Sequence, residues 1–226
     1  MATNLDLEEQ EQLDELKAFW KKYGNLVTWL LVAALGSYAA WNGWNWYQRD
    51  QAVKAGSMYD QLDKAAQAGD VDQTTRVFAD MKSRFAGTAF TEQGGLLTAK
   101  LQFEKGKVDD ALATLTWVEA NATEAEYQTI ARLRAAGVLL DQKKYDEALK
   151  RLDAIVLKDG SAEFGALVSD RRGDVLMAQG KAEDAKAAYN KAWTAMDSKV
   201  DYRRLIEAKL TALGAAPAAS APGAVQ

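Results

Sequence analysis

The chain has 226 residues, 48% hydrophobic and 27% charged, a balance that excludes long intrinsic disorder as its main state and fits one domain with additions. It contains no His and no Cys, which removes zinc sites, imidazole acid–base catalysis, thiol nucleophiles and disulfides. With 28 basic against 32 acidic residues the net charge is −4, so no overall cationic field attracts phosphate backbones and nucleic-acid binding is not expected.

Both prolines, Pro217 and Pro222, lie near the end of the chain, so no helix breaker of that kind interrupts the rest and an all-α fold is expected. Residues 1–22 carry six acids, Asp6, Glu8, Glu9, Glu11, Asp14 and Glu15, with Lys17, Lys21 and Lys22 following them. Leu13, Leu16 and Trp20 recur at helical spacing. This reads as a juxtamembrane helix whose lysines meet anionic lipid and whose acids are solvated; the alternative is a docking segment.

From Tyr23 to Gln48 no residue is charged. A helix from Leu26 to Trp46 would be roughly 31 Å long, the thickness of a bilayer's hydrocarbon core. Trp20 and Tyr23 stand at one end and Trp41, Trp44, Trp46 and Tyr47 at the other, where amphipathic rings favour the headgroup region. Residues 23–48 are therefore predicted to be a single transmembrane signal anchor. The rival readings are a buried soluble helix, which would have to hide five Trp between Trp20 and Trp46, and a cleaved signal peptide with Ser37-Tyr38-Ala39 at its cleavage site. Three lysines before the span against Arg49 and Lys54 after it give little orientation bias. The short tail and the long folded segment after the span favour an N-terminus left in the cytoplasm.

In residues 49–213 one motif recurs four times. Its copies begin at Gly69 (Gly69-Asp70-Val71-Asp72), Gly106 (Gly106-Lys107-Val108-Asp109-Asp110-Ala111), Lys143 (Lys143-Lys144-Tyr145-Asp146-Glu147-Ala148) and Gly180 (Gly180-Lys181-Ala182-Glu183-Asp184-Ala185), each 37 residues after the last. Apolar residues on both sides follow a helical period, as in Leu133, Ala136, Leu139 and Leu140 before a turn and Ala148, Leu149, Leu152 and Ile155 after it. Two amphipathic helices thus flank each turn. The acids Asp109-Asp110, Asp146-Glu147 and Glu183-Asp184 fall in the first turn of the second helix, opposite the positive end of its dipole. Ala99, Ala136 and Gly173 before the turn, and Ala111, Ala148 and Ala185 after it, let the two helices approach closely. Leu115, Leu152, Tyr189 and, in the first copy, Phe78 supply the bulky filler. The first copy is degenerate, with Leu62 and Thr74 at the small positions; Tyr202, Leu205, Ile206 and Leu213 are expected to form a closing helix. Residues 214–226, a run of Ala, Pro, Ser and Gly without charge, are expected to be a disordered tail.

The small residue in the first helix, the Ala twelve residues later and the large residue four further on, clearest at Ala136, Ala148 and Leu152, resemble tetratricopeptide repeats. The closing proline of that repeat is missing and the period is 37. The resemblance implies a right-handed α-solenoid of about four hairpins with a C-terminal capping helix. With the acidic tail and the Trp-rich anchor, residues 1–213 resemble the YfgM type of ancillary SecYEG translocon subunit. That resemblance implies a protein of the bacterial inner membrane with its repeat domain in the periplasm, and protein partners: the SecYEG channel, a PpiD-like membrane-anchored chaperone and client polypeptides, beside membrane lipid.

Carrying the tetratricopeptide register across implies a partner-binding groove of Leu96, Lys100, Phe103, Ile130, Leu133, Leu140, Leu167, Asp170, Asp174 and Met177. The alternative for each aliphatic residue is a core position. A carboxylate clamp would need basic residues where Leu96, Leu133 and Asp170 stand. Lys100, Arg132, Arg134, Arg171 and Arg172 lie nearby, with Arg171 and Arg172 open to pairing with Asp170 and Asp174. Asp109-Asp110, adjacent on a helix, do not face each other and no nucleophile–base pair or Gly-rich phosphate loop is visible. No enzymatic activity, metal, cofactor or small-molecule substrate is expected. The function expected is a membrane-anchored interaction module at the translocon. The alternatives are a scaffold in another envelope assembly and a regulatory adaptor acting through the tail.

Overall fold

The computed structural model describes residues 7–156 and 162–216. Among the described residues there are nine α-helices and no strand: α1 (Leu7–Gln67), α2 (Val71–Phe85), α3 (Ala89–Glu104), α4 (Val108–Asn121), α5 (Ala125–Asp141), α6 (Tyr145–Asp153), α7 (Ala162–Ala178), α8 (Ala182–Ala195) and α9 (Tyr202–Ala212). The chain forms two compact units that meet between Val53 and Lys54, within α1.

In the first unit Leu26, Trp29, Leu30, Leu31, Val32 and Leu35 are all exposed, so apolar side chains stand on every side of the helix. This apolar stretch packs against almost nothing else in the chain, unlike the buried core helix of a soluble domain. The helix is long and apolar enough to cross a membrane. Its small polar side chains return to their own backbone: Thr28 Oγ1 donates to Gly24 O and Ser37 Oγ to Ala33 O, both at 2.8 Å, and Asn42 Nδ2 to Tyr38 O at 3.0 Å. These three side chains need no partner from elsewhere, which suits a hydrocarbon surrounding.

In the second unit the 37-residue motif is a helix stop followed by a helix start. Gly69, Gly106, Lys143 and Gly180 all adopt positive φ, between 60° and 77°. The residue after each donates its N–H back across the turn, Asp70 to Ala65 O, Lys107 to Gln102 O, Lys144 to Leu139 O and Lys181 to Leu176 O, at 2.8–3.0 Å. This is the Schellman closure, which satisfies carbonyls that the helix end leaves orphaned. Gly214 repeats it after α9, with φ 70° and Ala215 N donating to Leu210 O at 2.9 Å. So α9 ends as the first helices of the preceding hairpins do. The tail expected over 214–226 falls, from residue 217 on, outside the described residues.

The small–small–large pattern forms the core as expected. Ala99, Ala111 and Leu115, then Ala136, Ala148 and Leu152, are all at most 2% exposed. In the last hairpin Gly173 faces Tyr189 so closely that an added Cβ would stand 2.4 Å from the ring. Leu62 and Thr74 of the degenerate copy are fully buried as well. Thr74 is accommodated because its hydroxyl donates to Asp70 O at 2.7 Å and so is not left unpaired in the core. In α9 the residues that pack are Ile206 and Leu210, both 0% exposed, with Tyr202 and Leu213 beside them; Leu205 points outward, contrary to expectation. Ile206 and Leu210, four apart, define the inward stripe, and Leu205 lies about 100° off it.

The acids of the motif do more than oppose a dipole. Asp109 Oδ1 accepts from Gln142 Nε2 at 3.3 Å and Asp146 Oδ1 from Gln179 Nε2 at 3.1 Å, so each second helix is tied to the turn of the next hairpin. In the first hairpin the equivalent Asp72 takes Lys107 Nζ at 2.7 Å. That hydrogen bond holds the Asp72 carboxyl below its usual pKa and the Lys107 ammonium above its own.

Candidate functional site

Three depressions follow the first-helix surface of the second unit. One of about 190 Å³ lies between the end of α1 and α3, lined by Asp63, Gln67, Leu97, Lys100 and Glu104 among others. The largest, about 480 Å³, lies between α3 and α5, walled by Lys100, Phe103, Arg134, Gly137, Val138, Asp141 and Arg171. The third, about 270 Å³, is bounded by Ile130, Leu133, Arg134, Phe164, Leu167, Asp170, Arg171 and Tyr202 from α5, α7 and α9. Lys100 borders the first two and Arg134 and Arg171 the last two, so cationic side chains mark the divides along a mostly apolar floor.

Of the residues assigned to the groove by register, Lys100, Phe103, Ile130, Leu133, Leu167 and Asp170 line these depressions. Four do not. Leu96 is 6% exposed in the core with Leu115 and Val118, and Leu140 packs against the cluster of Leu139 and Leu152. Asp174 belongs to an ion-pair network, and Met177 is exposed away from the depressions. Arg134, Gly137, Asp141, Phe164 and Tyr202 line them without having been assigned. The register that finds the two arginines is one residue later: Leu97, Arg134 and Arg171 are spaced by 37.

Polar packing fixes the far wall. Lys209 Nζ of α9 donates to Asp170 Oδ1 at 2.8 Å and Oδ2 at 2.9 Å, and to Asp174 Oδ1 at 2.7 Å. Tyr202 OH donates to Asp170 Oδ2 at 2.8 Å and Tyr189 OH to Asp174 Oδ1 at 2.9 Å. Asp170, 1% exposed, thus has both carboxylate oxygens taken within the fold. Burial, reinforced by these carboxylates, pushes the phenols of Tyr189 and Tyr202 well above the usual tyrosine range. Arg172 pairs with Asp153, not with Asp170 or Asp174, and Arg171 reaches Asp174 Oδ2 at 3.5 Å. Arg132 and Arg151 both pair with Glu119. Asp109 and Asp110 are exposed, and Asp109 takes the Gln142 amide, a structural tie.

The aromatic residues assigned to the membrane interface, Trp20, Tyr23, Trp41, Trp44, Trp46 and Tyr47, are all exposed on the first unit's helix. Trp44 and Tyr47 lie 6.1 Å apart between ring centroids, and Lys22 Nζ sits 5.3 Å from the centre of the Tyr23 ring.

Stacked hairpins with a row of apolar, cation-edged depressions define a helical-repeat interaction module. Residues 17–215 match the family model for a tetratricopeptide repeat-like domain, and the chain belongs to that family. Two curated relatives are each named ancillary SecYEG translocon subunit. One, from Neisseria gonorrhoeae, is 32% identical over 61% of this chain and 66% of its own length; the other, from Haemophilus influenzae, is 24% identical over 53% of this chain and 76% of its own. The chain thus spans just under two thirds of the first relative's length. These relatives bear out the resemblance to YfgM-type subunits, and neither their name nor the repeat family denotes an enzyme. Among solved structures, the MamA RS-1 ArsTM double mutant is similar at a TM-score of 0.49 and 16% identity, covering 70% of this chain and 84% of that one.

Proposed function

We propose that the protein is a single-pass inner-membrane subunit associated with the SecYEG translocon, whose repeat domain binds protein segments on the periplasmic side. The observation that carries this reading is the pairing, within one chain, of an uncovered apolar helix with a hairpin stack similar to relatives named for the translocon. In this reading residues 1–22 form a cytoplasmic tail, 23–48 the anchor and 49–213 the periplasmic interaction domain. Emerging polypeptides, and a PpiD-like chaperone that receives them, are the partners. Anchoring confines the groove beside the channel and raises its effective concentration there, so individually weak contacts suffice.

The test is site-specific photocrosslinking in cells that contain the translocon. A photoreactive residue placed between Trp41 and Arg49 should give a SecYEG adduct, and one at Phe103 should capture a periplasmic chaperone or a secreted chain. Adducts with another envelope assembly, and none with the channel, would transfer the same fold to a different scaffold role.

A further inference from the structure

We propose that the groove selects an apolar polypeptide segment bearing a carboxylate side chain, which the Arg134 and Arg171 guanidiniums grip between two apolar depressions. This rests on the groove reading above and adds the chemistry of its occupant.

The two arginines occupy the same register in successive hairpins, and both border both of the larger depressions. Arg171 lies over Gly137: a Cβ built there would stand 3.7 Å from the guanidinium carbon, in ordinary van der Waals contact. Arg134 Nη1 donates to Leu96 O at 3.1 Å, which orients the guanidinium without neutralising it. Among the described residues no carboxylate pairs with Arg134. Its surroundings desolvate it and push its pKa down, yet a guanidinium stays charged. Arg171 has one long contact, to an Asp174 whose other oxygen is taken by Lys209 and Tyr189.

The acids nearby do not cancel the charge on Arg134. Asp170 and Asp174 together are balanced by Lys209 and Arg171, and Lys100 offsets Glu104 at 3.7 Å. Asp141 remains, exposed at the end of α5 and two helical turns from Arg134. It repels a second acid at that end and so directs a ligand carboxylate toward the arginines. A partly desolvated Arg134 without a carboxylate partner, with Arg171 beside it, flanked by Phe103 and Val138 on one side and Leu133 and Leu167 on the other, matches a segment that alternates apolar residues with an acid.

The experiment uses the full chain in detergent micelles and three short, terminally blocked, fluorescent peptides of leucine and serine, alike except for a central glutamate, glutamine or lysine. The glutamate peptide should bind about tenfold tighter than the glutamine peptide, the size of a charge-assisted contact at a partly exposed site, and the lysine peptide more weakly still. Arg134→Gln with Arg171→Gln should erase the difference between glutamate and glutamine. Arg134→Glu with Arg171→Glu, with unfolding midpoints checked, should move the preference to lysine. Equal binding of all three peptides overturns the charge selectivity while sparing the groove; no binding by any of them overturns both. Displacement of the glutamate peptide by an equal concentration of inorganic phosphate would mark a bare anion site and also contradict the proposal.

Discussion

Trp44 in the first unit leaves 59% of its surface exposed, whereas Trp117 in the second lies edge-on to Phe78 at 5.4 Å with the Lys82 ammonium 5.8 Å from its ring centre. The contrast extends to glycine. Gly36 in the first unit has nothing within 4 Å of where a Cβ would be, while Gly173 in the second has the Tyr189 ring at 2.4 Å. In one unit a side chain meets only what surrounds the protein; in the other it meets the neighbouring helix. Hydrophobicity alone does not separate the two. What separates them is that small and large residues recur at a 37-residue interval in the repeat unit, whereas the N-terminal helix carries an uncharged run from Tyr23 to Gln48.

The largest expected effect sharpens this contrast directly. Gly173→Val should destabilise the repeat unit by about 3 kcal/mol, because Tyr189 is held by its own hydrogen bond to Asp174 and cannot move without breaking it. Gly36→Val should leave the urea midpoint of the detergent-solubilised chain unchanged. Equal sensitivity at both positions would erase the distinction.

Next is Lys209→Met, which leaves Asp170 buried without its cation. A loss of about 2 kcal/mol is expected, after allowance for the exposure of Lys209, with faster amide exchange confined to α9 and α7. Adding Asp170→Asn should recover part of it. A smaller effect appears at alkaline pH. The folded-state pKa values of Tyr189 and Tyr202 are raised, so the stabilisation is complete below the ordinary tyrosine value of 10.0 and declines as pH rises beyond it. Unfolding followed above that pH should show the decline in the native chain and a flatter profile in Tyr202→Phe. Smallest, and of opposite sign, is Lys143→Gly: at φ 60° the lysine Cβ is strained, and glycine should raise stability by about 0.5–1 kcal/mol.

Much of this is legible in the sequence. The turn positions can be read because a 37-residue interval survives in four copies, and the N-terminal apolar helix because the run from Tyr23 to Gln48 carries no charge. The groove was legible only in part. First-helix residues serve both the core and the open face, and neighbours such as Leu96 and Leu97 differ in role by a rotation of about 100° that apolar patterning does not resolve. The α9 network was hidden for a different reason: Lys209 and Asp170 are 39 residues apart, off the repeat period, so no spacing pointed from one to the other.

In the proposed topology α1 crosses the membrane, with the chain's N-terminus and the repeat unit on opposite sides. Because the chain has no Cys, single substitutions Asp14→Cys, Ser37→Cys and Lys100→Cys can be probed without background, using a membrane-impermeant maleimide on spheroplasts. The account predicts labelling at position 100 in intact spheroplasts, at position 14 only after lysis, and at position 37 in neither state. Labelling at 14 before lysis, or free labelling at 37, would contradict it.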